Sequence, residues 1–97
     1  VNEGLAHASR ALELDDTNPS ALELRGTLRY ASWYFGPEPE PEVAEALLEG
    51  AKADLRVAVL EDRSLASAYN TLSLIYYLTD EPAEANLAAL YAYEADA

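Results

Sequence analysis

Small and apolar residues recur along this chain at spacings of three and four, with polar residues between them. That spacing places residues on one face of an α-helix. The three faces in which small residues dominate comprise Gly4, Ala8 and Ala11; Ala51, Leu55 and Ala58; and Ala85, Ala89 and Ala92. Three copies of one pattern in 97 residues predict an array of helical repeats.

Turn residues divide the first half of this pattern into helices. The first helix is predicted from about Asn2 to Leu14. Asn18 is a plausible N-cap for the second, because an amide oxygen can accept a hydrogen bond from the first turn and Pro19 needs no partner there. Gly36 is a natural terminator of that helix.

The second half divides in the same way. A third helix is predicted from about Glu42 to a turn at residues 62–64, where Ser64 is the expected cap of the fourth. Asp80 is the expected cap of the fifth, which has Pro82 in its first turn and continues to the chain end.

Periodicity also predicts which side chains face the core. The expected buried stripes are Ala21, Leu24, Leu28, Ala31 and Phe35 on the second helix; Val43, Leu47, Leu48, Ala51, Leu55, Ala58 and Val59 on the third; and Leu65, Ala68, Tyr69, Leu72, Ile75 and Tyr76 on the fourth.

Between the second and third helices, residues 36–41 alternate Pro with Gly or Glu. Each Pro biases the preceding residue toward extended backbone, so this segment is not helical. Val, Ile and Thr nowhere alternate with polar residues over a strand length. An all-α class with about five helices is therefore predicted.

Composition narrows the possible functions. The chain contains no Cys, which removes disulfides, thiol nucleophiles and thiolate metal sites. No apolar run reaches the length of a membrane span. The chain begins without Met and inside a helical pattern, so we expect a fragment of a longer protein, with a cytoplasmic location.

A net charge of −12 comes from 18 acidic residues against six basic ones. Such a surface repels phosphate backbones and anionic lipids, so neither nucleic acid nor membrane is an expected partner. Two explanations of the acidity remain open: a solvated coat that reflects the habitat of the source, or selection for a neutral or basic partner.

Few residues in this chain are suited to chemistry. His7 is the single imidazole, and no Ser or Cys is arranged beside it as a nucleophile. Glu38, Glu40 and Glu42 cluster beside prolines, where solvated carboxylates are expected; weak divalent-cation binding is the alternative. The sequence therefore predicts no catalysis, no cofactor and no metal site.

Residues 66–97 resemble the tetratricopeptide repeat, a 34-residue helix–turn–helix unit. Its signature positions are occupied by Tyr69, Leu72, Ser73 and Tyr76 on the first helix and by Ala85, Ala89 and Ala92 on the second. Residues 14–18 resemble the turn between repeats, with Asp16 in place of Pro. Leu22 and Gly26 match the start of the next unit.

The resemblance implies one domain over residues 1–97, folded as stacked antiparallel hairpins in a short right-handed α-solenoid. Residues 1–14 would be the second helix of a truncated repeat, residues 19–65 a repeat with an insertion at about 34–44, and residues 66–97 a regular repeat. Arg25 and Arg29 depart from the pattern, because Leu and Tyr are expected there.

In the resembled family, the first helices of the repeats line a concave groove that binds a peptide. The register transfers this role to Glu23, Thr27 and Tyr30 on the second helix and to Asn70, Leu74 and Tyr77 on the fourth. Alternatively, Tyr30 or Tyr77 packs against a neighbouring helix. Glu23 and Thr27 stand where one subclass needs Lys and Asn to clamp an acidic C-terminus, so that ligand is disfavoured.

Three consecutive aromatic residues, Trp33, Tyr34 and Phe35, close the second helix. Successive helical residues point about 100° apart, so the three cannot share one core face. Either the extra residues of this repeat fold back over them, or they form a second contact surface.

The leading hypothesis is a non-catalytic protein-interaction module within a larger regulatory or scaffolding protein. Residues 53–87 also resemble repeat segments attached to bacterial serine/threonine kinases and transcriptional regulators. The alternative is homodimerisation through terminal helices, for which Leu87, Leu90, Tyr91 and Tyr93 are the candidate contacts.

Overall fold

A computed structural model describes residues 2–38 and 40–96, without the side chains of residues 2–5 and 7. Five α-helices account for most of this part: α1 Asn2–Leu14, α2 Pro19–Phe35, α3 Pro41–Glu61, α4 Ala66–Leu78 and α5 Pro82–Asp96. The predicted all-α class and number of helices are therefore confirmed for the described residues. The expectations for Gly4 and His7 concern side chains outside them.

Local chemistry explains where α2 begins and ends. The Asn18 side chain accepts a hydrogen bond from the Ala21 backbone N–H at 3.0 Å, and Pro19 is the first helical residue. Gly36 ends the helix with extended backbone. All three residues have the roles predicted for them.

The expected caps of α4 and α5 are wrong. Leu65, rather than Ser64, is the N-cap residue of α4, and no side chain caps this helix. Ser64 instead bonds back to Asp62 within the turn, where the Asp62 carboxylate accepts from the Ser64 N–H at 3.0 Å and from its hydroxyl at 2.6 Å. These hydrogen bonds lower the pKa of Asp62. Asp80 instead ends α4: it has φ +60°, and the next N–H, from Glu81, reaches the Tyr76 oxygen at 2.8 Å. Asp80 therefore takes the left-handed position that glycine usually fills after a helix.

The buried face of α2 also differs from the predicted stripe. Leu22, Gly26 and Tyr30 are buried, whereas Leu24 is 40% and Phe35 is 77% exposed. The helix is rotated because Arg25 and Arg29 turn toward α3, as described below. Of the predicted stripe only Ala21 is buried, while Leu28 and Ala31 are half-buried.

The other helices follow their predicted faces more closely. Ala51, Leu55, Ala58 and Val59 of α3 are buried, and so are Ala68, Tyr69, Leu72, Ile75 and Tyr76 of α4. Leu47, Leu48 and Leu65 are half-buried, and Ala8 and Ala11 of α1 are buried and half-buried. Two predictions are wrong: Val43 is 50% exposed, and Ala88 rather than Ala89 is buried on α5.

Each helix packs against the next one along the chain, and α2 additionally contacts α4. The helices α2 and α3 have 17 and 21 residues, against 13 and 15 for α4 and α5. Residues 19–65 are longer than a 34-residue repeat, and much of this extra length lies in the two helices of the first hairpin. The second hairpin is held by close contact at Ser73, whose hydroxyl donates to the Ala85 carbonyl at 2.8 Å.

Candidate functional site

A shallow cavity of about 320 Å³ lies where α2 and α4 run beside each other. Its lining is formed by Ser20, Glu23, Leu24 and Thr27 of α2 and by Ser67 and Thr71 of α4. Four of these six side chains carry a hydroxyl group and one carries a carboxylate. The lining surface of this cavity, which we call the α2–α4 groove, is mostly apolar, but these polar groups can form hydrogen bonds to a peptide backbone.

Hydrogen bonds fix the two walls of the α2–α4 groove. The Ser67 hydroxyl donates to the Glu23 carboxylate and joins α2 to α4 directly. Thr71 donates its hydroxyl to the Ser67 carbonyl at 3.0 Å, within α4. The carboxylate of Glu23 is the single ionised group among the lining residues, so the local field favours a cation.

The predicted groove residues divide into two groups. Glu23 and Thr27 are half-buried and line the cavity together. Asn70, Leu74 and Tyr77 are exposed on α4 beyond it, with Leu74 44% and Tyr77 72% exposed.

Tyr30 takes the alternative role, packing between helices. It is only 7% exposed and belongs to the main core cluster. Its ring stacks on Tyr34 with 5.8 Å between centroids, and its burial raises the pKa of its hydroxyl. A partner in the groove would not reach this ring.

Sequence analysis missed four residues of the groove: Ser20, Leu24, Ser67 and Thr71. A spacing signal existed for them, because Ser20, Glu23 and Thr27 are three and four residues apart, as Ser67 and Thr71 are four apart. Polar residues at this spacing are typical of any solvated helix face, so the spacing could not distinguish a binding site from ordinary surface.

Behind the groove, a buried ion cluster joins α2 to α3. Asp54 has a side chain only 5% exposed, and its carboxylate accepts from Arg25 at 2.7 and 2.9 Å and from Arg29 at 2.9 Å. The hydrogen bond to Asp54 raises the pKa of Arg25. Because both arginines point toward α3, Glu23 and Thr27 lie toward α4. The cluster thus positions the groove.

A second set of ionic contacts joins α3 to the start of α5. The ammonium of Lys52 lies 3.2 Å from the Glu49 carboxylate and 3.3 Å from that of Glu81. Hydrogen bonds to these two partners outweigh desolvation and raise the pKa of Lys52. The Thr79 hydroxyl donates to Glu81 at 2.8 Å and lowers the pKa of that carboxyl. No buried polar side-chain atom in the described part of the chain lacks a partner.

The three residues of the aromatic triplet differ in burial, and their role as a second contact surface stays a prediction. Trp33 is half-buried and packs on the core, beside Pro41 and Ala44 of the returning chain. Tyr34 and Phe35 remain 52% and 77% exposed, in edge-to-face contact with 4.8 Å between ring centroids. The chain that returns into α3 therefore covers the ring of Trp33 but leaves the other two rings exposed.

The described residues contain no group of three or more His, Cys, Asp or Glu side chains placed to hold a metal ion. Within the same residues, no helix is both long and apolar enough to cross a membrane.

Comparisons with protein-family models, with curated proteins and with solved structures each give no match to this chain. The fold defines the chain as an all-α protein of sequentially packed helices. Its function has to be argued from its own surfaces.

Proposed function

We propose that this chain is a non-catalytic protein-interaction module of the tetratricopeptide-repeat type, which binds a peptide segment in the α2–α4 groove. The observation that carries the proposal is the groove itself, in which Glu23 and Ser67 join the first helices of two successive hairpins. Sequential packing with an added α2–α4 contact supports stacked repeats. We further propose that the module belongs to a larger regulatory or scaffolding protein.

The bound peptide is neutral or basic. Glu23 supplies the only charge lining the groove, and the whole chain carries −12, which attracts cations over long range. The hydroxyls of Thr27 and Thr71 suit peptide N–H and C=O groups. Tyr77, exposed on α4 beyond the groove, offers a longer peptide a large contact area at low entropic cost.

A peptide display library tests this proposal. We expect the selected sequences to be enriched in Lys or Arg, and their affinity, measured by fluorescence anisotropy, to fall roughly 5- to 20-fold in the Glu23→Gln variant, as for one lost charge-assisted hydrogen bond. The matched control is Glu61→Gln, an exposed acid on α3. Equal affinities for the two variants, or no selected sequence, would contradict the groove proposal.

A second candidate function, self-association, is favoured by the apolar surface of α5. Leu87, Leu90, Tyr91 and Tyr93 are between 40% and 76% exposed, as expected if a further helix packs there. A sedimentation coefficient that stays at the value of a monomer at every concentration would rule this function out.

A further inference from the structure

Tyrosines of α4 and α5 surround an apolar cleft that shares no lining residue with the α2–α4 groove. A cavity of about 170 Å³ is lined mainly by Tyr69, Leu72, Tyr76, Leu87, Ala88 and Tyr91. We call it the tyrosine cleft. An apolar cavity of about 150 Å³ is large enough to bind benzene, so this one can accept a single aromatic ring.

Two arginines lie next to the tyrosine cleft. The Arg56 guanidinium lies over the Tyr76 ring, 5.5 Å from its centroid, and its Nε donates to the Tyr76 hydroxyl at 2.7 Å. Arg63 lines an adjoining cavity of about 220 Å³ with Tyr69 and Tyr91, whose rings are 5.5 Å apart. Among the described residues neither arginine forms an ion pair.

Acidic residues also border the cleft, since Glu84 lines its first cavity and Glu94 the second. Two cations against two carboxylates still make this region far less negative than a chain with 18 acids and six bases. Because neither Arg56 nor Arg63 forms an ion pair among the described residues, each can pair with a carboxylate of a partner, and the cleft can accept an aromatic side chain that is followed by carboxylates.

Such a segment exists in the same chain. Residues 34–38 and 40–42, which we call the aromatic arm, carry Tyr34 and the 77% exposed Phe35, and then Glu38, Glu40 and Glu42. All three of these glutamates are exposed.

The aromatic arm extends beyond the second hairpin. Lys52, in the middle of α3, is the residue that reaches Glu81 at the start of α5. Roughly ten residues of α3 precede Lys52, and at 1.5 Å per residue they project about 15 Å past the α4–α5 turn. Another molecule can therefore reach the arm without displacing a helix.

We propose that the aromatic arm of one copy binds the tyrosine cleft of a second copy, with Phe35 entering the cleft and Glu38 and Glu40 facing Arg63. The surfaces are different on the two sides, so the contact is heterologous and joins copies head to tail. It uses neither Glu23 nor Thr27 and is independent of the groove proposed above. It differs from the self-association through the α5 surface considered above, because the cleft lining includes Leu87 and Tyr91 but neither Leu90 nor Tyr93.

Sedimentation velocity over a range of concentrations is the first test. At an ionic strength of 0.15 M the Debye length is about 8 Å, which screens the long-range repulsion between two copies of −12 charge but not a contact pair. We expect the mean sedimentation coefficient of the unmodified chain to rise with concentration. In Phe35→Ala the association should weaken at least tenfold.

The matched control is Tyr93→Ala, which removes another aromatic ring that is 76% exposed but lies outside the cleft lining. Association in this variant should be unchanged. Loss of association in Tyr93→Ala but not in Phe35→Ala would show α5 stacking instead, and would overturn the proposal. A monomer at every concentration would overturn it as well, without affecting peptide binding to the groove.

Charge reversal gives the sharper test. Arg63→Glu reverses the charge beside the cleft, and Glu38→Arg with Glu40→Arg reverses the charge of the arm. In each variant alone, arm and cleft then carry charges of the same sign, so each should be monomeric. In an equimolar mixture every arm meets a cleft of opposite charge, and association should return. Arg10→Glu, an exposed reversal on α1, should leave association unchanged. A mixture that stays monomeric would refute the arm-to-cleft contact.

Discussion

The hairpins α2–α3 and α4–α5 both bring their helices together at one small residue of the first helix. In α2–α3 this residue is Gly26, where an added Cβ would lie 2.9 Å from the Leu55 side chain and 3.2 Å from the Ala51 oxygen. In α4–α5 it is Ser73, whose hydroxyl bonds the Ala85 carbonyl. Close backbone approach is therefore common to both hairpins.

The residues around the small one differ in chemistry. Positions one before and three after it are Arg25 and Arg29 in the first hairpin and Leu72 and Tyr76 in the second. The facing positions are Asp54, three residues after Ala51, and Ala88, three residues after Ala85. The first hairpin is thus completed by a buried ion cluster and the second by apolar packing. Ions give directional contacts that define helix rotation, but their desolvation offsets much of the Coulomb attraction.

The largest effect is expected from the apolar hairpin. Leu72 is 3% exposed, so Leu72→Ala leaves a cavity and should lower the free energy of unfolding by about 2–5 kcal/mol. Urea denaturation measures this loss. Leu90→Ala is the control, because Leu90 is 51% exposed on α5 and its truncation should cost little. Equal unfolding midpoints for the two variants would place Leu72 outside the core.

In the ionic hairpin, Asp54→Asn keeps the shape of the side chain but removes its charge. Two partly buried arginines then lose their shared anion, and we expect the free energy of unfolding to fall by about 3 kcal/mol. The same urea measurement on Glu61→Gln, an exposed acid of α3, should show a change below about 0.5 kcal/mol. A similarly small loss for Asp54→Asn would mean that the cluster does not hold α2 on α3.

The same contrast explains which parts of the fold the sequence predicts. Helix existence follows from local periodicity and turn residues, so Asn18, Pro19 and Gly36 were assigned correctly. The rotation of α2 did not follow from the sequence, because apolar periodicity cannot reveal a buried face that is formed partly by arginines. Only tertiary contact with Asp54, 25 and 29 residues away, reveals that face.

The predictions of the capping residues and of the groove residues were incomplete for related reasons. Asp62 and Ser64, two residues apart, are both good capping residues, and Asp80 can take a left-handed conformation as well as cap. Local preference alone does not choose between such roles. In the groove, Glu23 and Thr27 were placed by register, whereas Ser67 and Thr71 are ordinary polar helix residues until α2 lies beside them.

Matched alanine substitutions at the small residues should give a smaller difference. Gly26→Ala places a Cβ within 3.2 Å of α3 atoms, so overpacking should outweigh the gain in helix propensity and cost about 1–2 kcal/mol. Ser73→Ala loses one hydrogen bond but gains helix propensity, and should stay within about 0.5 kcal/mol of the unmodified chain. Thermal unfolding of both variants tests this, and an unchanged Gly26→Ala midpoint would show that α2 and α3 can separate at no cost.

No loss of stability is expected when the first hairpin is given the chemistry of the second. Arg25→Leu, Arg29→Tyr and Asp54→Ala together reproduce Leu72, Tyr76 and Ala88, and remove three desolvated charges at once. Replacing a buried ion cluster by apolar residues is commonly neutral or stabilising by about 1–4 kcal/mol, so the triple variant should be at least as stable as the unmodified chain. The double variant Arg25→Leu, Arg29→Tyr is its control, because it leaves Asp54 buried without a cation and should lose about 3 kcal/mol. If the triple variant is as unstable as the double one, the cluster contributes specific packing that apolar side chains do not replace. Peptide affinity of a stable triple variant then shows whether the ions are needed to direct Glu23 toward α4.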